Sequence, residues 1–245
     1  MLLNPKTCRY ESKPSKKIPT TIYNSTSIEL EDTEPIKKHK KHHQVSHFNY
    51  VLPHYDHKIQ FVIFSKSSDK PYPGKGLYEF IPNDKLDLFK PLSLIHDWRR
   101  KLDNTWIAPF ELDGYHWQTV EHYYQANKYK KYPDFYKLFT LESNSPISKD
   151  PLLANHAGGL EGKINRRKFR PSNVKVDSKF YSSNLSRTVL LKAQYAKFIQ
   201  HKDLRKILQL TYDATISEYK LLQIVPLNTL MRVRDILFNS ISYLS

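Results

Sequence analysis

Residues 108–129 read Ala108-Pro109-Phe110-Glu111-Leu112-Asp113-Gly114-Tyr115-His116-Trp117-Gln118-Thr119-Val120-Glu121-His122-Tyr123-Tyr124-Gln125-Ala126-Asn127-Lys128-Tyr129. Asp113-Gly114 is a favoured dipeptide for a two-residue hairpin turn, so Ile107 to Leu112 and Tyr115 to Trp117 read as two short strands flanking it. Thr119 can cap a following helix, which runs through Val120 to Tyr129 until Pro133 interrupts it. Glu121, Gln125 and Lys128 are four and three residues apart, so on that helix they fall within roughly 40° of one another. They form a narrow polar stripe flanked by Tyr123, Tyr124 and Tyr129. Two readings stand: a solvent-facing stripe with ordinary charge pairing, or a carboxylate, an amide and an amine projecting from a helix that packs aromatic surface.

Outward from this segment the pattern stays mixed and mainly helical. Ile59-Gln60-Phe61-Val62-Ile63-Phe64 is a β-rich run that stops at Ser65-Lys66-Ser67-Ser68-Asp69-Lys70, a strand leading into a loop. Pro71, Pro73, Gly74 and Gly76 suit turns, with Lys75 between the two glycines and backbone N–H groups that can face a phosphate. Leu88, Leu92, Ile95, Trp98 and Leu102 recur at helical spacing, predicting a helix near residues 91–101. Further helices are predicted at about 134–141 and 149–156, the second ending at Gly158-Gly159. The clearest helical periodicity covers 185–200 and 202–211, and a last helix is expected near 227–239. No internal repeat is visible. The expected fold class is α+β, a predominantly helical single domain with a small β-sheet, over residues 58–245.

Residues 1–57 are rich in Lys, Ser, Thr, Pro and His without sustained apolar periodicity, and read as a flexible basic leader. Within it, Lys37 to His43 reads K-K-H-K-K-H-H, a run suited to a solvated tail, phosphate contact, a localisation signal or weak metal binding. The whole chain has 245 residues, 39 % hydrophobic and 13 % aromatic, with 39 Lys+Arg against 24 Asp+Glu for a net charge of +15. Residues 61–245 hold 29 of the basic and 18 of the acidic residues, so +11 belongs to the expected domain and not to the leader. Polyanions such as nucleic acid, nucleotides or phosphorylated metabolites are the favoured partners. A mean hydropathy of −0.63 and the lack of a run of about 20 apolar residues argue against a membrane protein. The single cysteine, Cys8, excludes an intramolecular disulfide and any cysteine-based zinc site. With no signal-peptide core at Met1 to Lys6, the expected location is a reducing, cytoplasmic compartment. Neither G-x-G-x-x-G nor G-x-x-x-x-G-K-[ST] occurs, which removes the two common nucleotide-binding fingerprints.

The 108–129 segment resembles the hallmark of the YbiA-like or NADAR family of N-glycosidases, A-P-F-x-x-D-G-x-x-W-x-T-V-E-H-Y-Y-Q-x-x-K-[FY], at every position. Ala193-Gln194-Tyr195-Ala196-Lys197-Phe198 is similar to the family's A-x-x-A-K-F helix, and Leu230-Met231-Arg232-Val233-Arg234 to its L-M-x-V-R close. The resemblance covers about residues 60–238. Ser65-Lys66-Ser67, Pro73-Gly74-Lys75-Gly76 and Trp98-Arg99-Arg100 resemble the branch found in large DNA viruses and some eukaryotes. For such a source the location would be host cytoplasm or virion.

The resemblance implies hydrolysis of a bond between ribose C1′ and a nitrogen base, in phosphoribosylamino-pyrimidine intermediates of riboflavin synthesis or in ADP-ribose attached to guanine. It implies no cofactor and no metal. The partner would be a phosphorylated nucleotide-like small molecule or an ADP-ribosylated nucleic acid. Breaking that bond builds positive charge on the ribose, which a carboxylate stabilises, so Glu121 is the first catalytic candidate. An amine can trap the opened sugar aldehyde as a Schiff base, and the family motif makes Lys128 the covalent candidate. Trp117, Tyr124 and Gln125 are substrate-binding candidates, with Trp117 open to either base stacking or core packing. Lys75 and the Lys163, Arg166, Arg167, Lys168, Arg170 cluster are candidates for phosphate contact. Asn104 matches the Asn of the family's L-S-N-F segment and is the candidate for orienting ribose hydroxyls, although Asp103 stands where the family usually has Ser. The family's D-x-x-W-G-x-G segment is missing from Glu218 to Pro226, which points to a different substrate preference. The alternative from another class is a non-catalytic module that holds NAD, ADP-ribose or nucleic acid.

Overall fold

The computed structural model describes residues 55–63 and 71–238. Most of the expected leader, including Cys8 and Lys37 to His43, and the loop from Phe64 to Lys70 lie outside the described residues. The strand β1, Asp56–Ile63, begins within the stretch assigned to the leader. Its alternation sends Ile59, Phe61 and Ile63 into the core, as a period-two strand with one helix-covered face requires. It pairs in parallel with β6, Ala214–Lys220, about 150 residues later, and β6 pairs antiparallel with β7, Gln223–Pro226, giving the order β1-β6-β7. A parallel pair needs a crossover connection. Here nearly the whole helical body supplies it.

That body begins with α1, Leu86–Phe89, and α2, Trp98–Leu102. The hairpin β2, Phe110–Leu112, and β3, Tyr115–Trp117, hands over to α3, Val120–Asn127. Short helices follow: α4, Pro133–Lys137, α5, Pro146–Lys149, and α6, Pro151–Gly158. A two-residue hairpin, β4 at Lys163–Ile164 and β5 at Arg167–Lys168, precedes α7, Lys179–Ser182. The chain then builds α8, Leu185–Gln200, α9, Lys202–Gln209, and, after β6 and β7, α10, Asn228–Phe238. The architecture is α+β, mainly helical, with small sheets.

Two apolar clusters meet along α8. Phe61, Phe89, Trp98, Leu204, Ile207, Ile216 and Met231 join the sheet to α2, α9 and α10. Phe110, Trp117, Tyr123, Ala154, Phe180 and Ala193 join the first hairpin to α3, α6 and α8. Ala193 and Ala196 face the second cluster while Phe198 faces the first, so the small residues let α3 approach α8 closely. Among the described residues no helix is long and apolar enough to cross a membrane.

Two expectations are corrected here. The helix predicted near 91–101 is a 3-10 turn at Lys90–Leu94 followed by a break and a new start at Trp98. Asp97 sits at φ 55° in the left-handed region, and restarting the helix turns the adjacent Trp98 and Arg99 both inward. Trp98 Nε1 donates to Pro71 O at 3.0 Å, and Arg99 reaches the carboxylate of Glu79 at 2.6 Å and Tyr72 O at 2.9 Å. Tertiary bonding thus overrides apolar periodicity. The second correction concerns the turn around Lys75. Gly74 N and Gly76 N donate to Glu79 Oε2 at 3.0 and 3.1 Å, so the amides expected to face a phosphate hold an internal carboxylate instead. Lys75 itself is exposed on that turn.

Candidate active site

Thr119 caps α3 as expected: its hydroxyl accepts from His122 N at 3.4 Å and lies 2.8 Å from His122 Nδ1. Burial pushes the His122 imidazole down to about 4, so the ring is neutral near pH 7. Its Nε2 faces Ile147 O at 2.9 Å, a pure acceptor, so Nε2 carries the hydrogen and Nδ1 accepts from Thr119. Asn104 O accepts from Glu121 N at 3.0 Å, tying the loop after α2 to the first turn of α3. The opposite face of α3 buries Val120, Tyr123 and Ala126 against Trp117 and Phe110. The polar stripe is left facing α6.

That stripe is a connected chain. Glu121 Oε1 accepts from Gln125 Nε2 at 2.7 Å and from Asn155 Nδ2 at 2.6 Å. Gln125 Oε1 accepts from Lys128 Nζ at 2.6 Å, and Lys128 Nζ also reaches Gly158 O at 3.3 Å. Because one end of the amide meets a carboxylate and the other an amine, Gln125 can adopt only one orientation. Gln125 and Lys128 are each 4 % exposed, which excludes the solvent-facing reading. The Lys128 amine lies 5.2 Å from the Tyr124 ring centre and 5.5 Å from that of Tyr181. Burial pushes its pKa down to about 8, helped by Arg170 and Lys220 and opposed by Glu121. Burial likewise raises Tyr124 to about 12, so its hydroxyl stays protonated.

Close packing of α3 on α6 requires Gly158. A Cβ there would lie 2.6 Å from Gln125 Cβ, well inside contact distance. Gly158→Ala is therefore expected to push Gln125 out of the chain and cost about 1–3 kcal/mol of stability by overpacking. Chemical denaturation together with a pH titration of Lys128 checks this, since the loss of the Gln125 contact changes both.

The remaining sequence candidates divide. Trp117 is fully buried, donates Nε1–H to Leu112 O at 2.9 Å and packs edge-on against Tyr123 and Tyr136. Of the two readings open for Trp117 this is core packing rather than base stacking, because the hairpin closes over it. Arg170 donates to Tyr129 Oη, Gly159 O at 2.6 Å and Leu160 O at 2.8 Å, so its guanidinium is spent on the carbonyls beyond α6. It reaches the site through Tyr129, whose hydroxyl donates to Gly158 O at 3.0 Å, and by electrostatics on Lys128. Arg166 stands exposed at the turn between β4 and β5. Asn104 Oδ1 accepts from Gln194 Nε2 at 3.0 Å, which fixes its side chain beside the start of α3.

The 101–104 segment is held by Lys197, whose buried Nζ donates to Lys101 O at 2.9 Å and Asp103 O at 2.7 Å. Desolvation pushes Lys197 down to about 7. A base whose folded pKa lies below its unfolded value leaves the unfolded chain holding more protons between the two. Lys197 therefore makes stability rise from about pH 7 towards the unfolded lysine value, about 10.4. Lys197→Met is expected to flatten that part of the stability curve, which urea unfolding at several pH values measures.

Four residues that sequence reasoning passed over belong to this region: Asn155, Tyr181, Glu218 and Lys220. Asn155 is exposed on α6 and holds Glu121. In β6, Ile216 faces the core, so Glu218 and Lys220 lie on the same helix-facing side two and four residues on. Lys220 acts electrostatically on Lys128, and Glu121 and Asp103 act on Glu218. The alternation from Ala214 to Lys220 was the available signal. Among the described residues no group of three or more His, Cys, Asp or Glu is placed to hold a metal ion.

No family model matches the chain, and no curated protein matches it. Among solved structures, the NMR structure of the E. coli protein YbiA is similar, at 24 % identity over 60 % of this chain and 82 % of that one, with a TM-score of 0.43.

Proposed function

We infer that the protein is an N-glycosidase that hydrolyses the bond between ribose C1′ and a nitrogen base in a phosphoribosyl or ADP-ribosyl substrate. The observation that carries this reading is the buried Lys128 amine joined through Gln125 to the Glu121 carboxylate. A neutral amine keeps its two N–H groups on Gln125 Oε1 and Gly158 O and directs its lone pair elsewhere. In this reading the lone pair attacks C1′ as the C1′–N bond to the base breaks. Glu121 offsets the positive charge that develops on the ribose. The C1′–O4′ bond then opens to give the Lys128 iminium, O4′ takes up a proton, and water adds at C1′. Collapse of the adduct breaks C1′–Nζ and frees the sugar and the amine. Tyr124 and Tyr181 flank the amine and keep it poorly solvated, which favours the nucleophilic form. The positive charge of the domain favours a phosphorylated substrate.

The test is release of free base from phosphoribosylamino-pyrimidines and from ADP-ribosylated guanine in nucleoside or nucleic-acid form. Base release abolished by Glu121→Gln and by Lys128→Ala supports the reading. Saturable binding of either substrate with no release by the unmodified protein replaces it with a non-catalytic module. The rate is expected to rise with pH through about 8 as Lys128 loses its proton, and a rate that falls through that range contradicts a neutral lysine nucleophile.

A further inference from the structure

We propose that Gln194 is a positioning residue: it leaves the N–H edge of Asn104 open to the substrate and so selects a sugar with a hydroxyl next to the reacting carbon. The role rests on the N-glycosidase reading. Gln194 lies on α8 and is 1 % exposed. Its Nε2 donates to Asn104 Oδ1 at 3.0 Å. Lys197 follows one turn later on the same side of α8 and donates to Lys101 O at 2.9 Å and Asp103 O at 2.7 Å. Lys197 thus holds the backbone of the 101–104 segment, and Gln194 holds its Asn104 side chain. The segment is joined in turn to α3, because Glu121 N donates to Asn104 O at 3.0 Å.

The Gln194 contact decides which edge of the Asn104 amide is left for a ligand. An asparagine amide presents an acceptor on one edge and donors on the other. The donor from Gln194 takes the acceptor, so Nδ2 remains, and Asn104 is half-buried rather than sealed in. Reversing the Gln194 amide would turn Asn104 round with it. That reversal would also put an NH2 group where Oε1 now lies buried without a partner, and orphaned buried N–H groups are rarer than under-satisfied carbonyls. Glu121, likewise half-buried, has Oε1 committed to Gln125 and Asn155. Among the described residues no hydrogen bond or ion pair engages Glu121 Oε2 or Asn104 Nδ2.

An uncommitted donor on Asn104 and an uncommitted acceptor on Glu121, carried on backbones that bond to each other, suit a group that both accepts and donates. A hydroxyl does both. In the N-glycosidase reading Glu121 lies at C1′, and the neighbouring carbon C2′ carries the nearest hydroxyl of a ribose. Asn104 Nδ2 donates to that hydroxyl, which in turn donates to Glu121 Oε2. A 2′-deoxyribosyl substrate lacks the group and gains nothing from the way Asn104 is turned. Gln194 itself touches no substrate and acts through Asn104.

Ribosyl and 2′-deoxyribosyl substrates carrying the same base test this. The ratio of variant to unmodified kcat/KM cancels the different intrinsic reactivity of the two sugars. Gln194→Met and Gln194→Leu keep similar volume without the donor, and are compared where thermal unfolding is unchanged. Each is expected to lower kcat/KM on the ribosyl substrate by about 5–10-fold, the weight of one hydrogen bond, and on the 2′-deoxyribosyl substrate by less than about twofold. Asn104→Ala is expected to show the same preference for which sugar suffers, and adding Gln194→Met to it should cost nothing further, as for two residues acting in one chain. Equal losses on both sugars, no loss on the ribosyl substrate, or losses that add in the double variant overturn the role of Gln194 while leaving the glycosidase reading in place. If the unmodified protein releases base from neither sugar, the glycosidase reading falls and takes this role with it.

Discussion

Lys128→Met is expected to lower base release by at least about 10³-fold while leaving the protein folded. The size follows from covalent chemistry: without the amine no carbon–nitrogen adduct forms, and Glu121 and the pocket retain only electrostatic assistance. The fold tolerates the change because the amine carries a cost. Moving its pKa from 10.5 to about 8 means that holding it protonated at neutral pH opposes folding by roughly 3 kcal/mol, at about 1.4 kcal/mol per unit. Methionine removes that cost and fills similar volume. Against this stand Gln125 Oε1 and Gly158 O, which lose their donor, at about 1–3 kcal/mol for each acceptor left buried and unsatisfied. The two effects nearly offset, so thermal unfolding should move by only a few degrees while turnover vanishes. Lys128→Arg should be as inactive, since a guanidinium stays charged and has no available lone pair. Rates on one substrate, read beside unfolding curves, check both halves.

The largest expected loss of stability lies elsewhere. Glu79 and Arg99 form a fully buried pair at 2.6 Å, and the same carboxylate accepts from Val62 N, Gly74 N and Gly76 N. Glu79→Ala leaves a buried guanidinium without its counter-charge and strips three amides of their acceptor. Breaking one side of such a pair costs about 3–5 kcal/mol, a large share of a typical domain's 5–15 kcal/mol. Urea unfolding should show this loss, together with proteolytic opening near residues 72–79. The Glu79→Ala, Arg99→Met double variant should recover part of it, because the charge is then gone as well. A loss below about 1 kcal/mol would mean that the pair is not buried as described.

These two sites differ in how far the sequence discloses them. The hairpin, cap and helix from Phe110 to Lys128 were legible because each rests on local chemistry. Asp113 and Gly114 take φ of 53° and 79°, as the turn requires, and Thr119 caps its own helix. The Glu121, Gln125 and Lys128 stripe followed from helical spacing, and the family resemblance gave its ends their roles. The Glu79 clamp was not legible, since its partners are separated by up to 20 residues and the glycine turn suited an external anion equally well.

The β6–β7 hairpin shows the same limit in another form. Its two-residue turn is Leu221-Leu222, both at positive φ and 86 % exposed. Asparagine and glycine are the residues that signal such a turn, and left-handed leucine costs roughly 1–2 kcal/mol per residue. With the turn signal missing, Glu218 to Pro226 registered only as a departure from the family pattern. Its place in the sheet depends on pairing with β1 about 150 residues earlier, which no local periodicity reports. Glu218 and Lys220 were hidden by that topology. Trp117 was legible only as a choice between stacking and core packing, because the choice depends on the hairpin closing over it.

The central claim is that the buried Lys128 amine, once it has lost its proton, is the nucleophile acting on ribose C1′. Incubating the full chain with substrate and sodium borohydride, then mapping the adduct by peptide mass spectrometry, addresses it directly. The predicted result is a reduced ribosyl adduct on Lys128 that disappears in Lys128→Met and forms faster as pH rises through about 8. Base release with no adduct at Lys128, or an adduct confined to another lysine, would contradict it.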